Sequence, residues 1–136
     1  MADTVLNTTV FDGSKKLITH YNVVSDGSGS TTKIVDVSGL NTNNQKSCVK
    51  VRLNKVSFNV SVTAQVDAFR MNWDNSGSNL DFLTMNGEME YDYSSFGGLP
   101  NTEATNFTGD VNITLPACTS GDSATVVCEW IKVYES

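Results

Sequence analysis

The chain has 136 residues, 39% of them hydrophobic and 18% charged, with a net charge of −6. That length suits one domain over 1–136 that buries a full core without disulfides or metal, and the acid excess argues against binding to phosphate backbones. Asn, Thr and Ser number 14, 15 and 15, a makeup that favours strands with polar outer faces and many turns over a helical bundle.

Two-residue alternation runs nearly throughout, and no helical stripe is found. Residues 4–11 read as a first strand, with 1–10 open to being an extended N-terminal arm. Residues 16–25 follow, with Leu17, Thr19, Tyr21 and Val23 on one face. The stretch 25–32, SDGSGSTT, reads as a flexible turn, 33–37 as a short strand and 38–47 as a polar loop. In 48–63 the apolar phase changes: Val49, Val51 and Leu53 are odd, whereas Val56, Phe58, Val60 and Val62 are even. A one-residue slip sends later side chains to the opposite face, so a bulge or a corner between sheets is expected at Asn54-Lys55.

Residues 66–73 direct Phe69, Met71 and Trp73 inward, and 74–79 form a hairpin tip before a return strand at 80–85. Asn86-Gly87 is a two-residue hairpin signal. The next strand assigns Met89, Tyr91 and Tyr93 to the core and Glu88, Glu90 and Asp92 to solvent. A long connection at 94–109 leads to a strand holding Val111, Ile113 and Leu115. The last strand, 124–134, is apolar on both faces: Val126, Cys128 and Trp130 on one, Val127, Ile131 and Val133 on the other. That pattern fits a central position or an intersubunit contact. Eight or nine strands with regular turns predict an all-β, antiparallel β-sandwich. The phase change near 54 and the long connection make it jelly-roll-like.

Signals for chemistry are sparse. There is one histidine, His20, with no nucleophile motif beside it, so no catalytic triad is expected. Cys48, Cys118 and Cys128 match no zinc spacing and read as free core thiols, with a Cys118–Cys128 bridge as the alternative. The loop DNSGSNLD at 74–81 resembles an oxygen-ligand loop loosely but lacks the acids of a calcium hand. Glu88, Glu90 and Asp92 share one strand face, where a glycosidase would place its acids across a cleft. Four N-x-S/T sequons, at Asn7, Asn59, Asn106 and Asn112, are no more than this composition gives by chance. No cofactor and no enzymatic activity are expected. No apolar run is long enough to span a membrane as a helix, and MADTVLNTTV has no signal-peptide pattern.

The remaining features concern contact. Phe96-Gly97-Gly98-Leu99-Pro100 lies between strands and lacks both the Lys and the helix of a phosphate loop. Its glycines permit a tight reversal, while Phe96 and Leu99 either plug the end of the sandwich or dock on a partner. Charge is uneven: residues 1–60 hold seven Lys/Arg and four Asp/Glu, and 61–136 hold two and eleven. Lys50 and Arg52 form one short ladder, with Lys55 just beyond, and Glu88, Glu90 and Asp92 another. Such ladders either remain solvated or steer a homo-oligomeric contact.

The motifs KKLITHYNVVSDGSGSTTKIVDVSGL (15–40), FRMNWD (69–74), YDYSSFGGLPN (91–101), FTGDVNITL (107–115) and GDSATVVCEWIKV (121–133) resemble a family of small virion structural proteins of tailed bacteriophages, marine and cyanobacterial types especially. S-x-FGGLPN followed by TGD is the most specific element, and the matches cover a little over half the chain. The resemblance implies a non-enzymatic particle component, foremost a capsid decoration (cement) protein. Its partners would be the major capsid protein or other virion proteins, and it would reside in the virion after synthesis in the host bacterial cytoplasm. A tail, neck or fibre-associated protein is the alternative. A carbohydrate-binding sandwich is a further one, and would need Trp73, Trp130 or several tyrosines on an outer face.

Overall fold

The computed structural model describes residues 4–76, 79–101 and 107–135. It contains nine strands: β1 (Thr4–Asp12), β2 (Lys16–Val24), β3 (Ser30–Val35), β4 (Cys48–Ser61), β5 (Phe69–Asn75), β6 (Leu80–Met85), β7 (Gly87–Asp92), β8 (Phe107–Leu115) and β9 (Ser123–Tyr134). Sheet A has the order β1-β2-β9-β4-β7, and sheet B the order β3-β8-β5-β6. From β2 onward the chain changes sheet at every connection except the β5–β6 hairpin. The result is the double-sheet winding of a jelly roll, with β1 added outside β2.

Alternation places the core as expected. Leu17, Tyr21 and Val23 of β2 and Val126, Cys128 and Trp130 of β9 meet Phe69, Met71, Ile113 and Leu115 of sheet B, all buried. Trp73 links the sheets, stacking on Phe82 with ring centroids 4.1 Å apart and meeting Trp130 edge-on at 6.3 Å. Trp130 Nε1 donates to Thr19 Oγ1 at 3.0 Å, so the buried indole is satisfied. No disulfide joins the cysteines: Cys48 and Cys128 are buried, and the Cys118 thiol donates to Ser25 Oγ. Burial pushes the Cys128 thiol far up, away from reactivity.

The phase change in β4 is a bulge. Its pairing with β9 skips between Leu53 and Lys55, so Leu53 and Val56 both face inward. The strand does not turn a corner into the other sheet, because β9 pairs with it on both sides of the bulge. Several boundaries also differ. β3 begins at Ser30, inside the expected flexible turn; residues 65–67 form a 3-10 turn before β5; and β8 begins at Phe107, so Thr108-Gly109-Asp110 lies within a strand. β9 is central in sheet A, yet its second apolar face is not buried: Val127 is exposed and Ile131 and Val133 are half-buried.

The TGD motif joins the sheets. Gly109 has φ +90°, and a Cβ there would stand 2.0 Å from the Val49 carbonyl oxygen of β4. Asp110 accepts from Lys33 Nζ and from the Val37 N–H, each at 2.9 Å, and Thr108 Oγ1 donates to the Asp74 carbonyl. A second lock lies near the C-terminal end of β9. The Lys132 side chain is fully buried and donates to Asp12 Oδ1 at 2.6 Å and to the carbonyls of Gly13 and Asn41 at 2.9 Å. Burial lowers the pKa of this ammonium, but the hydrogen bonds and charges of Asp12 and Tyr134 outweigh burial and raise it above 10.5.

Two predictions concern these locks. Gly109→Ala should cost more than the roughly 1–3 kcal/mol of a strained backbone position, because the methyl also meets the carbonyl. Gly39→Ala, which meets nothing within 4 Å, should be near neutral; denaturant unfolding distinguishes them. Because the Lys132 pKa is raised, its stabilisation is complete below pH 10.5 and fades as pH climbs through the raised value. Melting from pH 8 to 12 should show this loss in the wild type and not in a Lys132→Met, Asp12→Asn double variant. Lys132→Met alone should cost about 3–5 kcal/mol by stranding Asp12.

Candidate docking surface

Sheet A has one strand more than sheet B, and its outermost strands are poorly covered. Every residue of β7 is exposed, as is every residue of β1 except Asp12. β7 pairs with β4 in the register Phe58↔Met89 and Val56↔Tyr91. Met89 and Tyr91 therefore point to the inner side, as the alternation requires, yet at the rim of the sheet they are not closed over. Met89 is 48% exposed and Tyr91 38%, so the expectation that both are core residues is corrected. Alternation gives the direction of a side chain, but burial also needs an opposing layer. Trp73, on the central strand β5, is buried as expected.

An aromatic row runs from the core to this rim, buried at Phe58, half-buried at Tyr93 and exposed at Tyr91 and Phe96. Tyr91 and Tyr93 lie nearly parallel with centroids 6.0 Å apart, Phe96 follows Tyr93 at 5.9 Å, and Phe58 adjoins Tyr91 at 6.1 Å. Phe96 is exposed at 57%. Burial raises the Tyr93 hydroxyl pKa, with the charge of Tyr91 adding to it.

The Phe96–Pro100 segment continues the edge that β7 begins. Leu53 N–H donates to the Leu99 carbonyl at 2.9 Å, and Leu99 N–H returns to the Leu53 carbonyl at 2.7 Å. Gly97 and Gly98 turn the chain at φ +82° and +95°. Arg52 then clamps the turn, donating from Nε to the Gly97 carbonyl at 2.9 Å and from a terminal nitrogen to that of Gly98 at 3.1 Å. The motif thus divides: Leu99 packs against the core, Pro100 is half-buried and Phe96 projects.

The two charged ladders share the outer face of sheet A. Lys55 stands directly opposite Asp92, and Arg52 is committed to the glycine turn. Lys50 lies at the far end of β4, opposite Val133. The structure therefore brings Arg52, Gly97, Gly98 and Leu99 together and places Glu88, Glu90 and Asp92 one strand away. It leaves Lys50 apart from both.

A shallow groove of about 490 Å³ crosses this face, with Ile18 and Val127 among its lining and Lys55, Glu90, Asp92 and Glu129 around them. Hydrogen bonding from Ser94, then the charge of Lys55, holds the Asp92 carboxyl below its usual range. Glu129 is lowered by Asn54, whose amide donates at 2.6 Å, and by Lys16 at 3.4 Å. Both carboxylates are thus held ionised at neutral pH, the opposite of what a general acid requires. His20 is half-buried on β2 between Thr8 and Val127. In the 74–81 loop, Asp74 faces Lys33 and Asp81 faces Arg70; Gly77 and Ser78 lie outside the described residues. Among the described residues no three His, Cys, Asp or Glu gather as a metal site, and no helix is long and apolar enough to cross a membrane.

Sequence reasoning missed two features. Lys132 continues the inward series Val126, Cys128 and Trp130, and that parity was the available signal for a buried cation. The exposed apolar content of β1 is the second: β1 pairs only with β2, the next strand in the sequence, and local pattern does not show that its other edge is left open.

No family model and no curated protein matches the chain. Among solved structures it is similar to the low-affinity xylan-binding module CBM86 from the gut symbiont Roseburia intestinalis, at 10% identity over 99% of this chain and 97% of that one, with a TM-score of 0.33. A second is the CBM3a-L domain, with flanking linkers, from the scaffoldin CipA of the Clostridium thermocellum cellulosome. There the identity is 12% over 96% of this chain and 66% of that one, with a TM-score of 0.27. At these values neither likeness carries an argument, and the jelly-roll assignment rests on strand order.

The edge position of β7 sets a graded expectation. Trp73→Ala should cost about 3–5 kcal/mol, as for buried aromatics. Tyr91→Ala should cost about 1 kcal/mol, in line with a half-exposed contact. Equal costs would mean that β7 is covered in solution.

Proposed function

We propose that the chain is a non-enzymatic structural module of a phage particle, foremost a capsid decoration protein, that works by docking its uncovered sheet edges. The observation that carries this reading is the pair of edge strands, β1 and β7, where Leu6, Val10, Phe11, Met89 and Tyr91 are exposed. Exposed apolar patches with a polar border mark contact sites in soluble proteins. At β7 the row Tyr91, Tyr93 and Phe96 would supply the anchors, and Glu88, Glu90 and Asp92 the charged border. Many copies on a symmetric shell multiply a modest contact. The motif resemblance supports the virion setting, with the major capsid protein or a tail or neck component as partner. Purified particles should contain the chain in many copies. Added protein should rebind to shells lacking it, with Phe96→Ala weakening rebinding at least tenfold while leaving the melting temperature nearly unchanged. Absence from particles would overturn the reading.

One observation favours carbohydrate binding as a second reading. Both tryptophans are buried and Tyr91 points to the inner side and not to the outer face, but Tyr91 and Tyr93 stand side by side at the rim, with Tyr91 exposed and Tyr93 half-buried. Retardation in gels containing soluble polysaccharides, lost in a Tyr91→Ala, Tyr93→Ala variant, would support it.

A further inference from the structure

Four strands end a sheet: β1 and β7 in sheet A, β3 and β6 in sheet B. An edge strand offers unpaired backbone groups to any second strand, and soluble proteins guard such edges with charge, proline or shortness. β7 carries Glu88, Glu90 and Asp92; β3 carries Lys33; β6 carries Asp81; and each of the three is six residues long. β1 is nine residues long, contains no proline, holds one charge, Asp12, and departs from regular pairing only near its end, between Thr9 and Phe11, which leaves Thr4–Thr9 unbroken. That carboxylate is turned inward to Lys132. From Thr4 to Phe11 the edge is therefore uncharged. It exposes Val5 (40%), Leu6 (52%), Val10 (60%) and Phe11 (52%).

We propose that β1 is a self-association edge, pairing antiparallel with β1 of a second copy across a two-fold axis and joining two sheets A into one of ten strands. Charge selects the occupant and the geometry. Each chain carries −6, so two copies repel at most approaches. A β7–β7 contact would set acids against acids. The β1–β1 contact joins the chains at an uncharged edge and sends both acidic β7 strands to the far ends of the joined sheet. A two-fold antiparallel pair also closes on itself, whereas β1 on β7 would propagate into open chains or rings. The contact is small, so the dimer is weak and concentration-dependent. Added salt tightens it by screening like charge, whereas a pairing of opposite ladders would loosen. This inference holds whether or not the chain belongs to a particle.

Sedimentation velocity from micromolar to millimolar protein, at low and high salt, tests it alongside Leu6→Lys and Thr8→Lys, whose side chains are exposed on β1. The expected result is a monomer–dimer equilibrium that strengthens with salt. Each lysine variant should raise the dissociation constant at least tenfold while melting like the wild type, and Glu90→Gln should leave the dimer intact. Amide exchange within residues 4–11 should slow as concentration rises. A monomer throughout, a dimer indifferent to both lysines, or assemblies growing beyond two would each overturn the proposal.

Discussion

The fold depends on β4 keeping its apolar side inward along its whole length. The strand contacts β9 along one edge, and along the other it meets first the Leu99 turn and then β7. An unbroken ladder would direct either Val51 and Leu53 or Val56, Phe58 and Val60 into water. The bulge between Leu53 and Lys55 absorbs one residue and restores both sets to the core. Both glycine motifs then press on this strand. Gly109 lies against the Val49 carbonyl, and Gly98 lies over Arg52 and Leu53. The positions that look most like a functional signature in the sequence are therefore where the backbone of another segment comes too close for a Cβ. Gly97, by contrast, meets nothing within 4 Å and is set by its positive φ alone.

The surplus strand of sheet A has consequences for contact. Strands lie about 4.8 Å apart, so a five-stranded layer overhangs a four-stranded one, and its edge side chains are apolar without being buried. The two edges differ in character. β7 combines an aromatic row on one side with acids on the other, and it is continued by a turn that Arg52 holds in place. β1 is uncharged from Thr4 to Phe11 and exposes Leu6, Val10 and Phe11. One molecule thereby presents one guarded edge and one unguarded edge, suited to different contacts.

Much of this was legible in the sequence. Strand positions, the inward series of β2, β5 and β9 and the site of the bulge follow from period-two alternation and one break in it. The jelly-roll winding was inferred from the same break for a partly mistaken reason, since β4 does not change sheets there. Tyr91 and Met89 show where alternation stops informing: it sets which way a side chain points, whereas burial depends on strand order, which is non-local. The Phe96–Pro100 segment was legible as a turn with two apolar residues. Its division into a packed Leu99 and a projecting Phe96 was not, because it depends on the Leu53–Leu99 bridge and the Arg52 clamp, which join residues some 45 positions apart. Lys132 was legible by parity alone, and its partner Asp12, 120 residues away, was not.

The central claim is that the working surface of this molecule is the exposed rim of sheet A. Hydrogen–deuterium exchange on the protein, free at low concentration and in the presence of the phage shells proposed as its partner, tests this most directly. The account predicts slowed exchange concentrated in residues 4–11 and 88–97, with the outer face of β5 and β8 unchanged. Protection centred on that sheet B face, with both rims of sheet A still exchanging freely, would contradict it.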